Sequence, residues 1–126
     1  MSFKAYVRIS IIGAVGGGLI DLIYITLAGP SAIFNLILGI TNRYMLFGAH
    51  VVLGGAMGML FLVLLHSLKL KPSWFAGIFW GLLCLGIIGG IPALITNTIT
   101  PITTFFGFFV WILYGLILVA GMKVAK

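Results

Sequence analysis

Only one of the 126 residues is an aspartate or glutamate. This residue, Asp21, lies in the middle of the first long apolar run, within Gly16-Gly17-Gly18-Leu19-Ile20-Asp21. A carboxylate at the centre of a membrane helix costs roughly 2.5–3.5 kcal/mol on the insertion scale, so it needs a partner, a proton or a cavity. Helical spacing puts Ala14, Gly17, Gly18, Tyr24 and Ala28 near its face, small residues that let another helix approach and turn Asp21 into a bundle. Depth selects the partner. Asp21 is seven residues short of Ala28, and His50 is seven residues past Arg43. In antiparallel helices both then lie about 10 Å below the same edge. Arg43 shares the His50 face, and its long side chain can reach inward. Tyr24 and Tyr44 add hydroxyls nearby. The expectation is an Asp21-His50 contact, with Arg43 as an alternative or third member.

Three kinds of chemistry are open to such a group. It can be a buried lock between two helices, a proton relay of the kind coupled transporters use, or part of a metal or haem site. His66 follows His50 by sixteen residues on the same predicted helix, some 24 Å away, so the two cannot share a metal. Cys84 is alone in the chain, which excludes an internal disulfide and a cysteine-based metal motif. There is no second carboxylate for acid-base work, no phosphate loop and no zinc motif. The expectation is no catalysis by this chain alone, no cofactor and no metal.

The elements that must position these residues are membrane helices. Apolar residues make up 63% of the chain and charged residues 6%, against roughly half and a quarter in soluble domains. Four segments reach the length of about 20 residues that a spanning helix needs, at 6–28, 44–68, 73–96 and 102–122. They predict an all-α, four-transmembrane-helix bundle forming one domain over 1–126. The stretch 31–41 is apolar but too short to cross and reads as a short interfacial segment. Lys4 and Arg8 before an apolar run imitate a signal peptide, but the run is long enough to span and Asp21 interrupts it. Pro72 suits the first turn of the third helix, making a close hairpin of helices two and three, and Pro92 predicts a kink or unwinding.

The net charge of +6 is spread along the edges of the apolar runs and forms no nucleic-acid patch. Lys4, Arg8, Lys69, Lys71, Lys123 and Lys126 fall on one side of a four-span layout and Arg43 alone on the other. By the positive-inside rule both termini are cytoplasmic, in a membrane that reads as the prokaryotic cytoplasmic membrane. Close packing is expected from Gly13 and Gly17, Gly54 and Gly58, Gly77 and Gly81, and Gly86 and Gly90, with span four poorer in small residues. Phe47-Gly48 with Val51 and Phe106-Gly107 with Val110 echo one another, as a duplicated hairpin would.

Gly48-Ala49-His50-Val51-Val52-Leu53-Gly54, Phe75-Ala76-Gly77-Ile78-Phe79-Trp80-Gly81 and Tyr114-Gly115 resemble small four-helix membrane families of bacteria and archaea with a His and glycines in the second span. That resemblance implies the fold and no activity. Gly17-Gly18-Leu19-Ile20-Asp21 is similar in position to the first-span carboxylate of the small multidrug resistance transporters, where the residue is typically Glu. The expected function is a non-catalytic accessory or scaffolding subunit of a larger membrane complex, such as a respiratory or membrane-oxidase assembly, with the lipid bilayer and other membrane subunits as partners. The alternative is a proton-coupled small-molecule transporter acting as a homo-oligomer, with Asp21 as its coupling carboxylate.

Overall fold

The computed structural model describes residues 2–28 and 39–124, and every regular element in them is helical. Helix α1 is Phe3–Ala28, α2 Arg43–Ser67 and α3 Trp74–Cys84; a π-helical segment, Leu85–Gly90, continues α3 into α4, Ile91–Thr96, and α5 is Pro101–Val124. Together they give four spans long and apolar enough to cross a membrane, of 22, 25, 23 and 24 residues. At ~1.5 Å per residue each matches a hydrocarbon core of about 30 Å. The predicted interfacial stretch at 31–41 falls largely on 29–38, outside the described residues.

Local chemistry explains the boundaries. Asn42 caps α2, its side-chain oxygen accepting from the amides of Tyr44 (2.9 Å) and Met45 (3.2 Å), a cap worth about 1 kcal/mol. The turn after α2 has Lys69 in the left-handed region, φ 55°. Ser73 then caps α3 by accepting from the Ala76 amide at 3.1 Å. Pro72 therefore stands just before the cap, not in the first helical turn as expected, because a serine oxygen satisfies an exposed amide and proline only lacks one. Asn97, at φ 53°, ends α4 in the left-handed conformation. The Thr100 and Thr103 hydroxyls each accept from the other residue's amide at 3.1 Å, closing the start of α5.

Two close seams organise the bundle. In the first, Gly13 and Gly17 of α1 lie against Gly54 and the His50 carbonyl of α2; a methyl on either glycine would overlap backbone oxygen. Gly58 extends this seam, 3.0 Å from its hypothetical Cβ to the Ile9 carbonyl. In the second seam, Gly77 and Gly81 of α3 meet Gly115 and the Trp111 carbonyl of α5 in the same manner. Span four thus supplies a tight glycine, Gly115, where it was expected to be poor. With lipid tails as apolar as leucine, such backbone approach is what holds the helices together.

Helix α1 also packs on α5, bringing the pairs into one bundle. The Tyr114 hydroxyl donates to the Gly54 carbonyl across them, and Gly16 makes room for the Tyr114 ring, 2.9 Å from a methyl placed there. Helices α2 and α3 follow one another through a short turn but are not the close hairpin expected. Large side chains keep them apart, with Phe61 stacked on Trp80 at 5.2 Å between centroids. The two hairpins packed by glycine are α1/α2 and α3/α5.

Gly86 and Gly90 are a second correction. Neither seats a neighbouring helix: nothing lies within 4 Å of a methyl on Gly86, and Gly90 meets only the Leu85 carbonyl of its own segment. They belong to the π-helical stretch directly before Pro92. Proline brings no N–H to the ladder and crowds the preceding turn, and three glycines at 86, 89 and 90 let the backbone widen there.

Candidate functional site

The glycine seam positions the site. Because Gly17 lets the α2 backbone touch α1 at His50, the next turn of α1 places Asp21 beside the His50 ring. Asp21 is wholly buried and His50 almost so, at 4% exposure. The His50 Nδ1 lies 2.9 Å from Asp21 Oδ1 and 2.9 Å from the Leu46 carbonyl oxygen. Both neighbours are acceptors, so the proton of a neutral ring sits on Nδ1. That hydrogen serves the carbonyl, which leaves Oδ1 close to the ring but without an aligned hydrogen bond.

Arg43 completes the group from the first turn of α2. Its Nη1 donates to Asp21 Oδ2 at 2.6 Å while 43% of its side chain stays exposed. A guanidinium at a helix N-terminus is disfavoured by the macrodipole, and the carboxylate offsets this. The trio is neutral overall with His50 unprotonated, and it gains one positive charge if the imidazole takes a second proton. A buried carboxylate oxygen without a donor is costly, about 1–3 kcal/mol or more for a charged group.

The structure therefore brings Asp21, His50 and Arg43 together. Tyr24 is half-buried nearby, whereas Tyr44 is 87% exposed and turned away. His66, near the other end of α2, is exposed and apart from the trio. Among the described residues no three His, Cys, Asp or Glu side chains come together as a metal site would require.

Sequence reasoning did not find the cavity beside the trio. A space of about 490 Å³ lies between α1, α2, the π-helical segment and α5, with His50 in its wall. Its lining is mainly apolar, including Ile20, Leu85, Phe108 and Trp111, with Tyr24, Thr103 and Thr104 as further polar members. Gly86, Gly89 and Gly90 line the opposite side. The signal was present in Leu85-Gly86-Ile87-Ile88-Gly89-Gly90-Ile91-Pro92: glycines dense enough to remove side-chain volume beside a proline that breaks the ladder.

Fold and site define a class, an all-helical bundle of four potential membrane spans with a buried carboxylate and imidazole, paired to a half-exposed guanidinium, beside a partly open cavity. No family model, no curated protein and no solved structure matches the chain.

Proposed function

We propose that the chain is a proton-coupled membrane transporter for a small, predominantly apolar molecule with a hydrogen-bonding head. The observation that carries this reading is the cavity of about 490 Å³ that has His50, the immediate neighbour of Asp21, in its wall. Its size and mainly apolar lining suit a small-molecule site, and a broken helix lining a cavity within the membrane is a recurrent feature of transporter substrate sites. A head group held by Thr103, Thr104 or His50 feels the charge of the trio. Protonation of the imidazole then changes the site from an acceptor to a donor and shifts the solute's affinity. The basic residues at one end of the bundle support an orientation with both termini cytoplasmic, which opens the trio's end toward the outside. The whole chain acts as one domain, in the prokaryotic cytoplasmic membrane, as a homo-oligomer.

The test is solute uptake into vesicles containing the purified protein, using a panel of small lipophilic amines and alcohols with and without an imposed proton gradient. Gradient-dependent accumulation is expected, and Asp21→Asn abolishes it. Accumulation that survives in Asp21→Asn eliminates the reading.

A second reading is an accessory subunit of a larger membrane assembly, such as a respiratory or oxidase complex. It is favoured by a specific feature, the strongly exposed aromatic rings Phe75 (81%), Phe79 (62%) and Phe105 (66%), which suit lateral contact with other chains. Purification from the native source in mild detergent, followed by mass spectrometry, separates the two: a lone homo-oligomer sinks the subunit reading.

A further inference from the structure

Within each hairpin the helices meet backbone against backbone through glycine, and such a contact parts only if whole helices move. The junction between α2 and α3 is made differently. The Phe61 ring lies 5.2 Å from the Trp80 ring, with 15° between their planes, so two side chains fill the distance that glycine closes elsewhere. Rotation about side-chain bonds is enough to part them.

Depth places this pair between two spaces. On span three the large cavity begins at Leu82, just beyond Trp80, and runs away from it toward Ala93. Trp80, Cys84 and Ile88 are successive buried residues one turn apart, and Ile88 is in the cavity wall, so this face leads from the cavity to the Trp80 ring. In the other direction, a groove of about 410 Å³ begins on α2 at Leu62, the residue after Phe61, and continues past Leu65, His66 and Lys69 to Pro72. Trp80 is six residues into α3 and Phe61 six residues short of the end of α2, which puts both rings about 9 Å from that end. The stacked pair thus stands between the cavity and the groove.

The Trp80 indole N–H is buried, and among the described residues no atom accepts from it. A buried donor left unmet is uncommon, because it has lost its hydration and gained no bond in return. Stacking needs only a ring, and phenylalanine would supply one without the donor.

We propose that the Phe61–Trp80 pair is the gate at this end of the solute path, and that the Trp80 N–H donates to an acceptor on the solute as it leaves the cavity. The proposal rests on the transport reading and adds a chemical preference to it. Solutes whose head carries a lone pair, such as neutral alcohols, are helped through; an ammonium ion of the same skeleton, which has only donors, is not. With the rings stacked, the cavity is shut at this end. With the rings parted, it joins the groove and its exposed His66 and Lys69.

The experiment is uptake and efflux in vesicles containing the full chain, using an alcohol and a protonated primary amine of matched skeleton. In the wild type the alcohol accumulates with the imposed proton gradient. Trp80→Phe keeps a stacked ring and removes the donor, so alcohol uptake is expected to fall about fivefold, the weight of one hydrogen bond, with amine uptake unchanged. Trp80→Tyr returns a hydroxyl donor to the ring and restores part of the alcohol rate. Phe61→Ala parts the stack: accumulation is lost while efflux without a gradient speeds up, whereas simple misfolding would slow both. If Phe61→Ala does not fold, the two Trp80 variants decide. A wild type that accumulates neither solute overturns the transport reading and the gate with it. Gradient-driven uptake in the wild type, with Trp80→Phe leaving the alcohol unchanged or lowering both solutes equally, overturns the gate alone. Unchanged efflux in a folded Phe61→Ala does the same.

Discussion

The two glycine-seamed hairpins start alike and end differently. Gly13 and Gly17 of α1 correspond by their contacts to Gly77 and Gly81 of α3, and His50 and Gly54 of α2 to Trp111 and Gly115 of α5. One turn beyond each seam, the first hairpin places Asp21 against His50. The second places Leu85 at the equivalent position, the first residue of the π-helical segment. In the first hairpin a charged trio pins the helices together as they leave the seam. In the second there is no such clamp, the helix widens, and the space that opens is the cavity. The same packing device thus leads into a charged contact on one side and into a widened helix beside a cavity on the other. This correspondence also corrects the apparent repeat. Contacts align Phe47 with Phe108, whereas the sequence echo aligned it with Phe106, and a shift of two residues is about 200° around a helix.

The largest effect is expected from breaking either seam. Gly54→Val would drive side-chain atoms into the Gly17 backbone, whose Cα is already 2.7 Å from a methyl at that position. Gly115→Val would do the same to Gly77. With backbone on the other side nothing can swing away, so the cost is at least the ~1–3 kcal/mol of overpacking. Both variants should lose the monodisperse peak in size-exclusion chromatography and most of their thermal stability. If one is tolerated and the other is not, the two seams are not equivalent in strength.

Next come the members of the trio, and here burial sets the order. Arg43→Gln leaves a wholly buried carboxylate without its cation, the situation that costs about 3–5 kcal/mol in buried pairs. Asp21→Asn leaves a guanidinium that is 43% exposed and can reach the interface, so it should cost much less. The double variant should regain part of what Arg43→Gln lost. Thermal unfolding in one detergent measures all three. An Asp21→Asn loss exceeding that of Arg43→Gln would show that the carboxylate is held mainly by His50.

The π-helical wall should give a smaller effect on stability and a larger one on the proposed transport. Deleting Gly89 removes a residue from the π-helical segment and permits an ordinary α-helical ladder. The cavity should shrink and solute uptake fall at least tenfold, while unfolding shifts by no more than about 1.4 kcal/mol, a tenfold change in equilibrium. Unchanged uptake in this variant would mean that the cavity is not the solute's path.

Much of the first hairpin was legible in the sequence. A lone acid in a membrane helix has few ways to be satisfied, and equal depth from the two helix ends leads to His50 and Arg43. Six of the eight packing glycines named from sequence, Gly13, Gly17, Gly54, Gly58, Gly77 and Gly81, lie in the seams, because four-residue spacing puts each pair on one helical face. The second hairpin was less legible. Periodicity does not distinguish a glycine that admits a neighbour from one that only empties space, so Gly86 and Gly90 were assigned to packing. Tyr114 was silent for another reason: its partner is a backbone carbonyl, Gly54, which no side-chain pattern marks. Pairing order between helices also escaped, since the short turn from α2 to α3 suggests adjacency while the bulk of Phe61 and Trp80 sets their distance.

The smallest effect tests how the hairpins meet. Trp80 is 4% exposed, and its indole N–H is buried without a hydrogen-bond partner while its ring stacks on Phe61 of the other hairpin. An unmet donor in an apolar setting costs about 1–3 kcal/mol, and removing indole volume costs a comparable amount by opening a gap. Trp80→Phe keeps a stacked ring and deletes the donor, so the two terms oppose and the net change should stay within about 1 kcal/mol of zero. Trp80→Ala keeps neither ring nor donor and should lose roughly 3–5 kcal/mol. Thermal unfolding of the pair separates shape from polarity at this contact. If Trp80→Phe is as damaging as Trp80→Ala, stacking of an aromatic ring is not what joins α2 to α3, and the two hairpins are held instead through α1, α5 and the Tyr114 hydroxyl.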